Sequence, residues 1–139
     1  MRISLRVKDV MDDKIYMVDE STTCRDALKT MVEKGVWSLL VSREGLPVGV
    51  VTERDIIKKV IAKGMNLDGV RVAEIMSSPI ITVAPDEPVA RAMELMAVND
   101  IRRVYVVDEG RVIGRVTQTT LFKKVLDLLM LLSDLTWYM

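Results

Sequence analysis

Four consecutive residues, Thr52-Glu53-Arg54-Asp55, stand where an apolar run, Gly49-Val50-Val51, gives way to a pattern of helical period. A threonine followed three positions later by an acid forms a capping box. The hydroxyl accepts from the backbone N–H at N3, and the acid bonds back to the cap N–H and complements the helix dipole. The same arrangement suits a second use. A helix entrance presents N–H groups to an anion, a carboxylate there can accept both hydroxyls of a ribose, and Arg54 can meet a phosphate with a planar fork. Taken alone, these residues leave both uses open.

Two other stretches bear on the choice. Ile101-Arg102-Arg103-Val104 sets two arginines before an apolar run. They are either a solvated edge or a phosphate contact, because neighbours on a strand point to opposite faces and one of the pair would face a cleft. Ser78-Pro79-Ile80-Ile81-Thr82 is short, extended and apolar. Such a segment can hold a flat base by contact and by main-chain hydrogen bonds.

The elements that must position these groups come in duplicate. Shifted by 65 residues, the stretch 7–60 falls on 72–125 without a gap. The matches include Met11/Met76, Glu44/Glu109, Gly45/Gly110, Gly49/Gly114 and Thr52/Thr117, positions that a shared backbone would dictate. Each copy reads as βαββα. A strand (Ile15 to Val18; Ile80 to Val83) leads to a helix capped by Ser21 or Asp86, with Pro88 in the first turn of the second. Cys24, Ala27, Leu28, Met31 and Val32, and then Val89, Ala92, Met93, Met96 and Ala97, form the helix stripes and read as core. Apolar runs Ser38 to Val41 and Val104 to Val107 read as buried strands. Glu44-Gly45 and Glu109-Gly110 turn them into hairpins with Val48 to Val51 and Val112 to Val116. A last helix runs from Glu53 to Lys63 with Gly64 as its C-cap; its counterpart starts near Gln118. Met65 to Gly69 is the linker. One copy alone cannot cover both faces of its sheet, so the expected fold is α+β, with two βαββα halves related by a pseudo-twofold in one compact module. The expected boundaries are 7–64, 72–129 and a helical tail, 130–139.

Composition narrows the function. The chain has 139 residues, half of them hydrophobic, and 20 basic residues balance 20 acidic ones. Nothing in that balance points to a nucleic acid. There is no histidine and a single cysteine, Cys24. The commonest general base is therefore absent, no disulfide can close within the chain, and Cys24 reads as a small core residue. No catalysis, metal or cofactor is expected. The first residues, Met1 to Arg6, carry no leader pattern, and the apolar stretch Val125 to Met139, broken by Asp127, Ser133 and Asp134, is too short for a membrane span. A cytoplasmic location is the expectation. Lys58-Lys59 and Lys123-Lys124 read as solvated helix faces.

From Val7 to Leu126 the chain resembles the CBS-domain family, as a tandem pair of the kind called a Bateman module. The resemblance rests on Val7-Lys8-Asp9-Val10-Met11 and Val72-Ala73-Glu74-Ile75-Met76, on Pro79-Ile80-Ile81-Thr82-Val83, and on the Gly-x-x-Thr-x-x-Asp element that ends at Asp55. It implies an adenosine ligand (AMP, ADP, ATP or S-adenosylmethionine) in a cleft between repeats. By that resemblance Asp55 takes the ribose hydroxyls. Thr52, Glu53 and Arg54, with Val50 and Val51 before them, meet ribose or phosphate. Pro79, Ile80, Ile81 and Thr82 line the base, and Arg102 and Arg103 meet phosphates. The second copy has Thr120 in place of the aspartate, and Trp37 and Ser38 in place of the arginines, so one good site and one degenerate site are expected. Trp37 either plugs the degenerate site or packs in the core. The arginines favour a phosphate over the cationic S-adenosylmethionine.

The tail, Leu121 to Leu135, is apolar on more than one face. It is either packed into the chain's own core or a dimer interface, with Trp137 and Tyr138 as anchors; a homodimer is the expectation. The leading function is an adenine-nucleotide sensor that acts on a partner protein in trans. The alternative is a ligand-free dimerisation scaffold.

Overall fold

The structure, a computed structural model, describes residues 5–137. Tyr138, one of the two proposed aromatic anchors, lies outside that range, as do Met1 to Ser4; the side chain of Trp137 is likewise not described. By its contacts the chain divides into two units. The central unit is Lys14–Ile80, and the terminal unit joins the chain up to Asp13 with the chain from Ile81 onward.

In the central unit, β1 (Met17–Asp19) runs parallel to β2 (Ser38–Arg43), which pairs antiparallel with β3 (Leu46–Thr52). Helix α2 (Cys24–Lys34) connects β1 to β2. The last helix begins as one α-turn, α3 (Glu53–Ile56), and continues as a π-turn over Ile57–Ile61, where Ala62 N–H donates to the Ile57 carbonyl at 2.8 Å. The expected uniform helix to Lys63 is thus shorter, and Gly64 (φ 69°) ends the turn that follows. Cys24, Ala27 and Met31 on α2 meet Leu39, Val41, Val51, Ile56 and Val60 in one core. Burying a side chain such as Met31 or Leu39 contributes about 1.5–3 kcal/mol.

The terminal unit repeats the plan. Strand β4 (Thr82–Val83) is parallel to β5 (Arg103–Asp108), and β5 is antiparallel to β6 (Arg111–Thr117). Helix α4 (Val89–Asn99) connects β4 to β5, and α5 (Gln118–Trp137) follows β6. The core unites Val83, Val89, Ala92, Met96, Val104, Val106, Val116 and Leu121 with Val7 and Val10 of the short helix Val7–Val10, here α1. Both hairpin turns are as expected: Glu44 and Gly45 (φ 53° and 79°) and Glu109 and Gly110 (φ 48° and 76°) all have positive φ, the twist that a two-residue hairpin loop requires.

Each unit is closed by the stretch that opens the other repeat. Ser77 bridges Val50 in the central unit, and Asp12, 65 residues earlier, bridges Arg115 in the terminal unit. Both crossings lie on the outer edge of a hairpin and cover it. They also explain a repeated glycine. A Cβ on Gly49 would meet Met76 Sδ at 2.6 Å and the Ser77 carbonyl oxygen at 3.0 Å. On Gly114 it would meet the Asp12 carbonyl oxygen at 2.7 Å and Met11 Sδ at 2.9 Å.

Several sequence expectations need correcting. The caps are not Ser21 and Asp86. Thr23 caps α2, accepting from Asp26 N–H at 3.2 Å, while Ser21 donates from its backbone to Asp19 at 2.9 Å in the turn before it. Pro88 is the residue before α4 rather than within it, and Asp86 instead pairs with Lys8 at 3.0 Å. The first strands start later than Ile15 and Ile80. Val32, Met93 and Ala97 lie outside the core; Val32 is 71% exposed and Met93 49%. Trp37, 52% exposed, is not a core residue either.

Candidate functional site

The Thr52/Asp55 element folds as a complete capping box. Thr52 Oγ1 accepts from Asp55 N–H at 3.1 Å, and Thr52 N–H donates to Asp55 Oδ2 at 3.0 Å. The Thr52 hydroxyl also donates to Asp55 Oδ2, at 3.0 Å. The other carboxylate oxygen, Oδ1, lies 3.2 Å from Lys59 Nζ. Asp55 is therefore fixed from two sides, with its side chain 16% exposed. Each carboxylate oxygen has more than one acceptor direction, so a held Asp55 retains capacity for a hydroxyl.

Lys59 is the member of this site that sequence reasoning misplaced. Expected on a solvated face, it is half-buried and also donates to the Ile75 carbonyl at 2.8 Å. Its position four residues after Asp55 was the available signal. The anion role of the helix entrance is also revised. Glu53 N–H donates to the Trp37 carbonyl at 3.1 Å and Asp55 N–H to Thr52, so these donors are committed within the fold.

Val50, Val51, Thr52, Glu53, Arg54 and Asp55 lie in the central unit, together with Pro79 and Ile80. Val50 N–H donates to the Ser77 carbonyl and Ser77 N–H to the Val50 carbonyl, both at 2.9 Å. This ties the strand that leads to Asp55 to the segment that leads to Pro79. The Ser78–Pro79 peptide is cis. Arg54 is exposed; Val51 is buried and Thr52 and Glu53 are half-buried.

Ile81, Thr82, Arg102 and Arg103 belong to the terminal unit. Arg103 opens β5 opposite Thr117 and is half-buried, whereas Arg102 is exposed and its carbonyl accepts from Gln118 N–H at 2.9 Å. The helix entrance of this unit carries Thr117 and Thr120, whose hydroxyls bond at 2.9 Å. A carboxylate does stand beside it, contributed by Asp12. Its Oδ2 accepts from Thr120 Oγ1 at 3.4 Å, and its Oδ1 accepts from Arg115 Nε at 2.9 Å. The Arg115 side chain is 9% exposed and that of Asp12 22%.

Cys24 fits its core reading. Burial pushes its thiol up from the ordinary value, and the Glu74 carboxylate adds to the shift. Among the described residues no group of three or more Cys, Asp or Glu side chains is placed to hold a metal, and no helix is long and apolar enough to cross a membrane.

The family model for the CBS domain matches the chain twice, over residues 7–62 and 72–127. The chain belongs to the CBS-domain family. Its two matched repeats make it a tandem CBS pair. An uncharacterised protein of Methanopyrus kandleri is 37% identical over 116 residues, 82% of this chain and 59% of the relative. The chain thus spans about three fifths of the length of that relative. Among solved structures, an uncharacterised conserved protein from Pyrococcus horikoshii matches with a TM-score of 0.82 at 31% identity, covering 90% of this chain and 95% of that one. The CBS-domain pair of protein MJ0100, solved in complex with 5′-methylthioadenosine and S-adenosyl-L-methionine, matches with a TM-score of 0.78 at 28% identity, covering 88% and 97%. This CBS pair is a regulatory type of module.

Proposed function

We propose that this CBS pair senses an adenosine-containing ligand, an adenine nucleotide foremost, and passes its state to a partner protein in trans. The observation that carries the reading is the Asp55 carboxylate. It is held by Thr52 and Lys59 at the end of β3, with its side chain 16% exposed and acceptor capacity left for a ribose diol. Arg54, Arg102 and Arg103 are the proposed phosphate cations, and Pro79, Ile80, Ile81 and Thr82 the proposed base contacts. The corresponding carboxylate of the terminal unit, Asp12, is engaged by the nearly buried Arg115 guanidinium, which favours one working ribose site per chain over two. Occupancy would act by shifting the population of module conformations that a partner distinguishes.

S-adenosylmethionine is the second reading, favoured by its presence in the MJ0100 complex. The same Asp55 would take its ribose, and the arginines would contribute nothing.

Calorimetric titration of the chain with AMP, ADP, ATP and S-adenosylmethionine tests both readings beside Asp55→Asn. A lost hydrogen bond to a charged group corresponds to roughly 10- to 100-fold in affinity, and that loss is expected in the variant. If none of the four ligands binds, the sensor reading fails. If one binds and folded Asp55→Asn binds it equally well, Asp55 is not the ribose residue.

A further inference from the structure

Lys59 gives the Asp55 carboxylate a counter-ion within its own unit. Its ammonium lies 3.2 Å from Asp55 Oδ1, and the Asp55 side chain is 16% exposed. Seen from a group farther off, a carboxylate and an ammonium so close together act as a neutral pair, whereas Asp55 alone would act as a full negative charge. Glu53 and Arg54, which flank Asp55 at the helix entrance, carry opposite charges and offset one another. The ammonium is also held in place. A lysine tied by one surface ion pair gains little from keeping a single geometry, but Lys59 has a second anchor in the Ile75 carbonyl, to which it donates at 2.8 Å.

The two repeats differ at this point. In the central unit Lys59 sits within the π-turn Ile57–Ile61, a helix irregularity frequently found at functional sites. Its counterpart α5 is an unbroken α-helix from Gln118 to Trp137. There Thr120 stands in place of Asp55, and Lys124, in place of Lys59, is exposed. From Phe122 to Asp134 every residue of α5 is exposed, so the tail is not packed into the chain's own core, which corrects the first of the two expectations for it. The aspartate, the anchored lysine and the π-turn thus occur together in one repeat only.

We propose that Lys59 is a specificity-determining residue: by neutralising Asp55 it admits adenosyl ligands with an anionic tail, which a bare carboxylate would repel in favour of cationic ones. The inference rests on the reading of Asp55 as the ribose residue. A ribose hydroxyl can bond to a paired carboxylate, because each oxygen has more than one acceptor direction. It is the charge at the far end of the ligand that registers the pair. Lys59 acts there at range, through Asp55, and not by touching the tail.

AMP, 5′-methylthioadenosine and S-adenosylmethionine provide the test. They share adenine and ribose, and their 5′ substituents carry a double negative charge, no charge and a net positive charge. The full chain is titrated with each by calorimetry at low ionic strength, weak ligands being read by competition against the tightest. Wild type is compared with Lys59→Met, with Lys59→Gln, which drops the charge but keeps a donor, with Lys59→Arg, and with Lys58→Met. Loosening of Asp55 weakens all three ligands alike, so the ratios of affinities isolate the charge. In Lys59→Met and Lys59→Gln the AMP to S-adenosylmethionine affinity ratio is expected to fall at least about fivefold, with 5′-methylthioadenosine between the two. Added salt should shrink that shift. Lys59→Arg, which keeps the charge, is expected to hold the ratio within about twofold of wild type. Lys58→Met, which removes the same charge from an exposed neighbour, should do the same. Wild-type ratios in folded Lys59→Met and Lys59→Gln overturn the proposal and leave Asp55 as the ribose residue. An equal shift in Lys58→Met also overturns it, by assigning the effect to the net charge of the chain. If none of the three ligands binds the wild type, the reading of Asp55 fails and this inference with it.

Discussion

The Lys59 ammonium stands 3.2 Å from Asp55 Oδ1 and 2.8 Å from the Ile75 carbonyl oxygen, so a single cation ties the helix entrance to the segment that crosses β3. With Lys59 42% exposed, solvent screens the ion pair, and the hydrogen bond to the carbonyl supplies much of its worth. Lys59→Met is expected to cost about 1 kcal/mol in urea unfolding. It should also weaken binding of the ligand identified by calorimetry, by releasing Asp55. An unchanged urea midpoint would show that the tie is not made in solution.

The two crossings make unequal demands on their glycines. At Gly114 an added Cβ meets main chain, the Asp12 carbonyl oxygen at 2.7 Å. At Gly49 the nearest atom is Met76 Sδ at 2.6 Å, the mobile end of a flexible side chain. Gly114→Ala must move backbone, so a loss of about 1–3 kcal/mol is expected. Gly49→Ala should lose less, because Met76 can turn aside. Chemical denaturation of the two variants side by side checks the order, and equal losses would refute it.

What could be read from the sequence was local or repeated. The 65-residue shift disclosed the two sheets, the Glu-Gly pairs disclosed both hairpin turns, and Thr52 with Asp55 disclosed a capping box spanning four residues. Contacts between distant positions left no such trace. Nothing periodic links Asp12 to Arg115, so the carboxylate beside Thr120 went unseen, as did the way each crossing stretch joins the other repeat's sheet. Ser21 and Asp86 were good cap types in the wrong place: the turn after Asp19 delays α2 to Cys24, and Asp86 is held by Lys8 before α4 opens at Val89. The apolar character of α5 was legible but its exposure was not, since periodicity alone does not tell a buried helix from an exposed one.

Both hairpin turns place a glutamate at positive φ, 53° at Glu44 and 48° at Glu109. A β-carbon is disfavoured there, and asparagine tolerates the conformation better than glutamate. Glu44→Asn and Glu109→Asn are each expected to stabilise by about 0.5–1 kcal/mol and to add in the double variant, because the sites share no partner. A rise in thermal midpoint checks the effect. A fall in both would mean that the turns differ from this geometry in solution.

Asp12 and Arg115 form the least exposed ion pair described in the chain, at 2.9 Å, with their main chains also bonded in both directions at 2.9 Å. Removing the carboxylate would leave a guanidinium that is 9% exposed without its counter-ion. That is a larger penalty than the loss of a surface pair, because a charge already withdrawn from water has no alternative partner. Asp12→Ala is expected to destabilise the terminal unit by about 2–4 kcal/mol, whereas Arg115→Met, which leaves the more exposed Asp12 with the Thr120 hydroxyl beside it, should cost less. In the double variant both charges are gone, and part of the loss should return as a coupling energy of at least about 1 kcal/mol. Urea unfolding of the four proteins gives the cycle directly. Additive losses would mean that Asp12 holds the terminal unit through its backbone alone, and that the side-chain pair contributes nothing.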